Sequence, residues 1–299
     1  MELYIYLVLI GQLLWAFLSL IDKFMISKKF ITNPLVFIIF NGIMNIALLL
    51  FIPFIDIHKP SLEIVVSAVL FATLYLAGIA AYYKAIEYED ISKVIMLFNL
   101  EPVLVLLFSF LFLHEILRLN QFAGFTFLLA AAFVVTFKKT KTGFKMSNAL
   151  WFMIISGVTA AISYVAAKNV YNLTDFLNAF FWLRVASFAP LILLFIPRLR
   201  REFVSTWKSM PRYANGIIAS KMIIDFSVFF IVGYAISIAS PSLIIALMSA
   251  TIPLSVLILS SLISIYHPEI LEEELTKKAV LVKLAGLALI IAGITMLNI

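Results

Sequence analysis

AIEYEDISKVIMLFNLEPVLVLLFSFLFLHE, residues 85–115, returns in outline at 235–269 as AISIASPSLIIALMSATIPLSVLILSSLISIYHPE. Each copy runs from a short polar break into an apolar stretch with a central proline, Pro102 or Pro253, and closes on a glutamate, Glu115 or Glu269. Working outward, residues 1–137 read as one five-segment repeat, 138–147 as a basic linker and 148–299 as a second five-segment repeat. An odd number of crossings sets the second copy upside down relative to the first.

Hydrophobic residues make up 64% of the chain and charged residues 13%, against roughly 45–50% and about 25% in soluble domains, so a water-soluble fold is excluded. Segments near 3–21, 34–55, 62–83, 92–113, 120–137, 149–167, 176–196, 213–236, 243–263 and 279–298 each approach the roughly 20 residues that cross a bilayer as a helix. They are continuously apolar, where the strands of a membrane barrel would alternate. The predicted fold class is all-α integral membrane: ten transmembrane helices in two inverted five-helix repeats, multi-pass in the cell membrane. Met1-Glu2 followed at once by an apolar run lacks the basic start and small-residue cleavage site of a signal peptide, so the first span is expected to stay in the protein.

The chain has no cysteine, and its three histidines, His58, His114 and His267, fall at span ends. Disulfides and thiolate metal sites are excluded, and no metal or other cofactor is expected. The net charge of +6 does not imply nucleic acid, because the basic residues sit in short loops beside membrane spans. Apart from Lys59, Arg118, Lys168 and the intramembrane Arg184 and Lys221, every Lys and Arg lies in or beside the loops that follow odd-numbered spans. By the positive-inside rule those loops are cytoplasmic and both termini outside. KKTKTGFK at 138–145 and RLRREF at 198–203 carry most of that bias and read as orientation signals.

The two repeats align with little adjustment. Trp15 and Lys23 fall opposite Ala160 and Lys168, Asn41 opposite Arg184, Tyr75 opposite Asp225 and, with one residue inserted, Pro102 opposite Pro253. Four stretches matter together: Trp15 with Lys23, Arg184 early in span 7, Ala-Ile-x-Tyr at 85–88 leading to Pro102, and Leu-His-Glu at 113–115 before Gly124. In these the whole chain resembles the EamA family of the drug/metabolite transporter superfamily. The chain departs from the family pattern at Trp15-Ala16, where Trp-Gly is common, and at Asn41, where Arg is common. The resemblance implies ten helices in two inverted halves, export of amino acids, other metabolites or toxic compounds, and cytoplasmic termini, opposite to the loop count.

Ionisable groups inside hydrocarbon cost about 2.5–3.5 kcal/mol each on insertion scales and therefore face a cavity or a partner. Four lie well inside predicted spans, away from their ends: Glu101, Arg184, Lys221 and Asp225. Lys221 and Asp225, at i and i+4, share a helix face and can pair; Asp225 is either half of a structural ion pair or a proton-coupling site tuned by Lys221. Glu101 is the other proton-coupling candidate, since burial penalises an unpaired carboxylate's charged form, unless it pairs across helices with Arg184 or Lys221. Arg184 can clamp a substrate carboxylate with two parallel hydrogen bonds, but its early position in span 7 favours snorkelling to the interface.

Pro102 and Pro253 are the gating or kink candidates, freeing the carbonyls of Phe98 and Ser249. Asn99, Ser249 and Thr251 offer hydrogen bonds at membrane depth, and Trp15, Tyr75, Tyr82 and Tyr164 offer stacking surface, so Asn99, Ser249 and the four aromatics join Arg184 and Lys221 as substrate-binding candidates. His114-Glu115 and His267-Pro268-Glu269 read as helix-end anchors.

The leading functional reading is a secondary transporter of small metabolites, working by alternating access with protons as a candidate coupling ion. Nothing resembles a Walker A loop, so ATP is not the direct drive. A flippase for a lipid-linked molecule is the alternative. No reacting constellation points to an enzyme, and no charge ring or carbonyl filter points to a channel. The implied partners are a small-molecule substrate and membrane lipids, with no nucleic acid; oligomeric state leaves no mark in the sequence.

Overall fold

The computed structural model describes residues 2–27, 30, 33–45, 56–88, 101–136, 148–251, 255 and 277–297. All regular structure among them is helical. In chain order it comprises α1 (Leu3–Ser27), α2 (Pro34–Met44), α3 (Leu62–Tyr88), α4 (Glu101–Leu113), α5 (Leu119–Thr136), α6 (Asn148–Leu173) and α7 (Phe176–Ala186). A 3-10 segment (Ala189–Phe195), α8 (Pro197–Ser209), α9 (Arg212–Ile238), α10 (Pro241–Thr251) and α11 (Lys277–Leu297) follow.

Four described stretches, Leu62–Tyr82, Trp151–Leu173, Phe176–Phe195 and Arg212–Ile238, are long and apolar enough to cross a bilayer. Large apolar side chains point outward along the bundle: Leu62 is 79% exposed, Leu119 87% and Ile223 67%. Such a surface suits lipid tails and would be a liability in water.

Packing joins the two halves of the chain. α1 lies along α9, α3 along α6 and α5 along α11. The α3–α6 contact is the most extensive, and within it the Ser156 hydroxyl donates to the Gly78 carbonyl at 2.9 Å. On the α5–α11 seam a Cβ added at Gly124 would lie 2.9 Å from the Gly293 carbonyl oxygen, and one at Gly293 would lie 3.1 Å from that of Gly124. Only residues without a side chain let two helix backbones approach so closely. The main core cluster draws Ile5 and Val8 from α1, Leu128 from α5, Val228 and Val232 from α9, and Leu243 and Leu247 from α10.

Two expectations need correction. Residues 176–196 do not form one continuous helix: α7 stops at Ala186 and the chain continues as the 3-10 segment. Pro190 supplies the reason, because it has no N–H to bond the Ala186 carbonyl and its ring crowds that oxygen. The basic stretch at 198–203 is not a loop but part of α8, with Leu199 buried and Arg198, Arg200 and Arg201 exposed. Residues of this helix four apart, Phe203 and Trp207, pack on Phe40 of α2 with ring centroids 4.8 and 5.6 Å away. Glu202 accepts a hydrogen bond from the Asn33 amide at 2.9 Å. α8 thus straps the second half of the chain to the first.

Candidate functional site

Two short helices, α2 and α7, carry polar residues into the interior, and each starts from an Asx cap. Asn33 accepts from the Leu35 N–H at 2.9 Å; Asp175 accepts from the Asn178 N–H at 3.1 Å. Each satisfies one of the backbone donors that a helix start leaves without a partner. Burial alone would push the Asp175 carboxyl up, but hydrogen bonds from the backbone and side chain of Asn178, the backbone of Leu177 and the Thr174 hydroxyl together hold it below the ordinary Asp value.

Asn178, buried at the start of α7, went unnoticed in the sequence. Its amide nitrogen donates to Asp175 at 2.8 Å and to the Asp56 carbonyl at 3.0 Å, while its oxygen accepts from the His58 N–H at 2.9 Å. Trp182 adds a hydrogen bond to the His58 carbonyl at 3.2 Å. The segment before α3 is thereby knitted to α7. The sole sequence signal was the Asp-x-x-Asn spacing, which predicts a cap and not the long-range partners.

Beyond this anchored end a cavity of about 310 Å³ opens between α1, α2, α3, α6, α7, α9 and α10. Seven of the sequence-predicted residues line it: Trp15, Tyr75, Tyr82, Tyr164, Arg184, Lys221 and Asp225. Asn41 and Asn45 of α2 add amides to the wall. Two of the aligned pairs, Asn41 with Arg184 and Tyr75 with Asp225, therefore meet in one space, whereas Trp15 lines it without Ala160. Glu101 and Ser249 do not line it, although Glu101 is within electrostatic reach of the Tyr75 and Tyr164 hydroxyls. Pro102 is buried in the first turn of α4. Asn99, Pro253, Phe98, His267, Glu269 and the side chain of Lys23 lie outside the described residues.

Lys221 and Asp225 form a short, charge-assisted salt bridge one helical turn apart on α9. The Lys221 ammonium also donates to Asn41 Oδ1 on α2 at 3.4 Å, so one cation touches both halves of the chain. Among the described residues Glu101 pairs with neither Arg184 nor Lys221.

Arg184 does not snorkel. It is 5% exposed, its guanidinium lying 4.3 Å from the Phe229 ring centroid and 5.7 Å from those of Phe71 and Phe180. Aromatic faces from α3, α7 and α9 enclose it, which the neighbours of Arg184 along its own helix could not reveal. Its Nε has no hydrogen-bond partner among the described residues.

Lys168 also departs from expectation. Counted as a loop charge, it belongs to α6, which runs on to Leu173. It is buried and donates to the carbonyls of Ile236, Ser237 and Ala239 at 2.9, 3.0 and 3.1 Å, a cation on the negative end of α9. Glu115 stands close by and accepts from the Ser240 hydroxyl at 2.7 Å. Burial pushes the Glu115 carboxyl up, opposed by that hydrogen bond and by the Lys168 charge. The alignment of Lys168 with Lys23 was the available signal.

A helical bundle with an apolar outer surface, with charged and amide groups gathered around an internal cavity, defines an integral membrane protein. Residues 2–137 match the model of the EamA-like transporter family, whose members are transporters. A solved structure titled only as a crystal structure of a protein aligns with a TM-score of 0.65 at 16% identity, over 98% of this chain and 95% of that chain; the two share a fold. No curated protein matches the chain in sequence.

Proposed function

We propose that this protein is a secondary transporter of the cell membrane that moves a small organic metabolite by alternating access. In this reading ten spans form two inverted five-helix repeats, and the cavity is the substrate site. The observation that carries it is the meeting of repeat-matched residues, Asn41 with Arg184 and Tyr75 with Asp225, in a single cavity lined from both halves. The crosswise packing of α1 on α9 and α3 on α6 supports the repeat, since span 1 corresponds to span 6 and span 3 to span 8. Small polar ligands in transporters bind at such repeat interfaces.

Glu101 and Asp225 are the proposed proton carriers. Asp225 is held by Lys221, so protonation there would release an ammonium toward Asn41, while Glu101 lies within electrostatic reach of Tyr75 and Tyr164 without lining the cavity. Pro102 and Pro253 are proposed to give spans 4 and 9 their bends.

The test is intravesicular pH in proteoliposomes exposed to a mixed amino-acid and metabolite pool, with wild type beside Glu101→Gln and Asp225→Asn. Solute-driven proton entry that disappears in one variant identifies the coupling carboxylate. Labelled solute crossing with no proton movement removes the coupling step, and an inert preparation that instead scrambles labelled lipid removes the metabolite reading.

A further inference from the structure

We infer that the ligand of this cavity is a small organic monoanion, a carboxylate-type head on an apolar body, with Arg184 as the group that receives the head. This rests on reading the cavity as the substrate site and narrows what that site selects.

The argument is one of charge and of unused hydrogen bonds. Among the described residues the charged side chains that line the cavity are Arg184, Lys221 and Asp225. Lys221 and Asp225 neutralise each other through their salt bridge, and Lys221 also donates to Asn41. Glu101 is not part of the lining. What remains is one guanidinium whose Nε has no acceptor among the described residues. The Phe229 ring, 4.3 Å away, attracts the charge through its face but accepts none of the in-plane N–H bonds. A buried polar group without an acceptor is costly, and a buried charge without a counterion more so. A carboxylate presents two oxygens in the plane of the fork and meets both deficits at once.

The same inventory argues against other ligand classes. A dianion such as a phosphate monoester would keep one charge uncompensated, because Lys221 is already engaged. Among the described residues the amine of a zwitterion would find no free carboxylate in the wall, since Asp225 is held by Lys221. The faces of Trp15 and the tyrosines, worth about 0.5–2 kcal/mol as cation–π contacts, and the neutral Asn45 Oδ1, which has no partner among the described residues, would be left to it, and neither supplies a counter-charge. Phe71, Leu76, Ile79 and Met248 give the body of the ligand an apolar wall. A space of about 310 Å³ equals about ten water volumes, which admits an acid with roughly ten non-hydrogen atoms.

Three probes of one shape and different charge separate the cases: 3-phenylpropionate, phenylalanine and phenethylamine. Binding is read by thermal shift and by titration calorimetry on the purified full chain, and flux separately in proteoliposomes. The expected result is at least tenfold tighter binding of 3-phenylpropionate than of phenylalanine. Arg184→Gln should erase that preference, and Arg184→Lys, which keeps the charge but loses the fork, should restore part of it. If Arg184 only holds the bundle together, Arg184→Gln will weaken all three probes alike with their ratio unchanged, and the assignment falls. Failure of 3-phenylpropionate to bind, or equal or tighter binding of phenylalanine or phenethylamine, also overturns it. Selective binding of 3-phenylpropionate without flux of any probe would leave this assignment standing and remove the transport reading instead.

Discussion

α2 and α7 are matched in length and in how they start, and opposite in what they carry. Each runs for 11 residues from an Asx cap, and each turns one side to the same cavity. α2 presents the amides Asn41 and Asn45, whereas α7 presents Arg184 under three aromatic rings. Arg184 also lies one residue further from its cap than Asn41 does. The two helices share length, cap and placement at the cavity while their side-chain chemistry differs, so that one wall offers neutral hydrogen bonds and the other a charge. Lys221, bonded to both Asn41 and Asp225, joins the two.

That joint is where the comparison breaks most easily. Lys221→Met strands the Asp225 carboxylate and is expected to cost about 3–5 kcal/mol; the double variant Lys221→Met/Asp225→Leu should recover most of it. Thermal unfolding in detergent measures both, and equal stability of the single and double variants would refute a paired charge.

The caps come next. Asp175→Ala and Asn33→Ala should each cost about 1 kcal/mol, but their pH dependence should differ. Asp175 has a lowered folded value, so its contribution is present above the unfolded Asp value of about 3.9 and is lost as pH falls through the lower folded one. Asn33 does not titrate. Unfolding followed from pH 6 down to about 2.5 should therefore show a loss that Asp175→Asn removes and Asn33→Ala leaves untouched. The smallest effect belongs to Asn41→Ala, whose hydrogen bond to Lys221 is long at 3.4 Å. A cost of about 0.5 kcal/mol is expected, and a loss above 2 kcal/mol would mean that the amide wall carries more of the structure than the distance implies.

Much of this molecule was legible before any coordinates. Continuous apolar runs announced membrane helices, and rare charges within them pointed to cavity residues, because hydrocarbon leaves an ionisable group few other places. Spacing alone foretold the Lys221–Asp225 pair. The break after α7 was available in principle from Pro190 but was outweighed by the apolar run around it. α8 was masked by its own basic residues, whose charge was read as topology before their helical spacing was considered. The cage around Arg184 was out of reach, since Phe71 and Phe229 are far from it in sequence and nothing local brings them together.

The α5–α11 seam has a consequence for how the bundle can move. Among the described residues neither helix contributes to the cavity wall, and at Gly124 and Gly293 their main chains face each other with no side chain between. Rotamer changes at Leu128 and Leu297, which pack beside the two glycines, leave the main-chain approach itself in place. Sliding one helix along the other by a turn, about 5.4 Å, would drive a Cβ into a carbonyl oxygen. Leu128 already presses on Gly293, its Cγ only 2.9 Å from where a Cβ there would stand. Rotation about the seam preserves the contact and translation along it does not, so the line of closest approach acts as an axle.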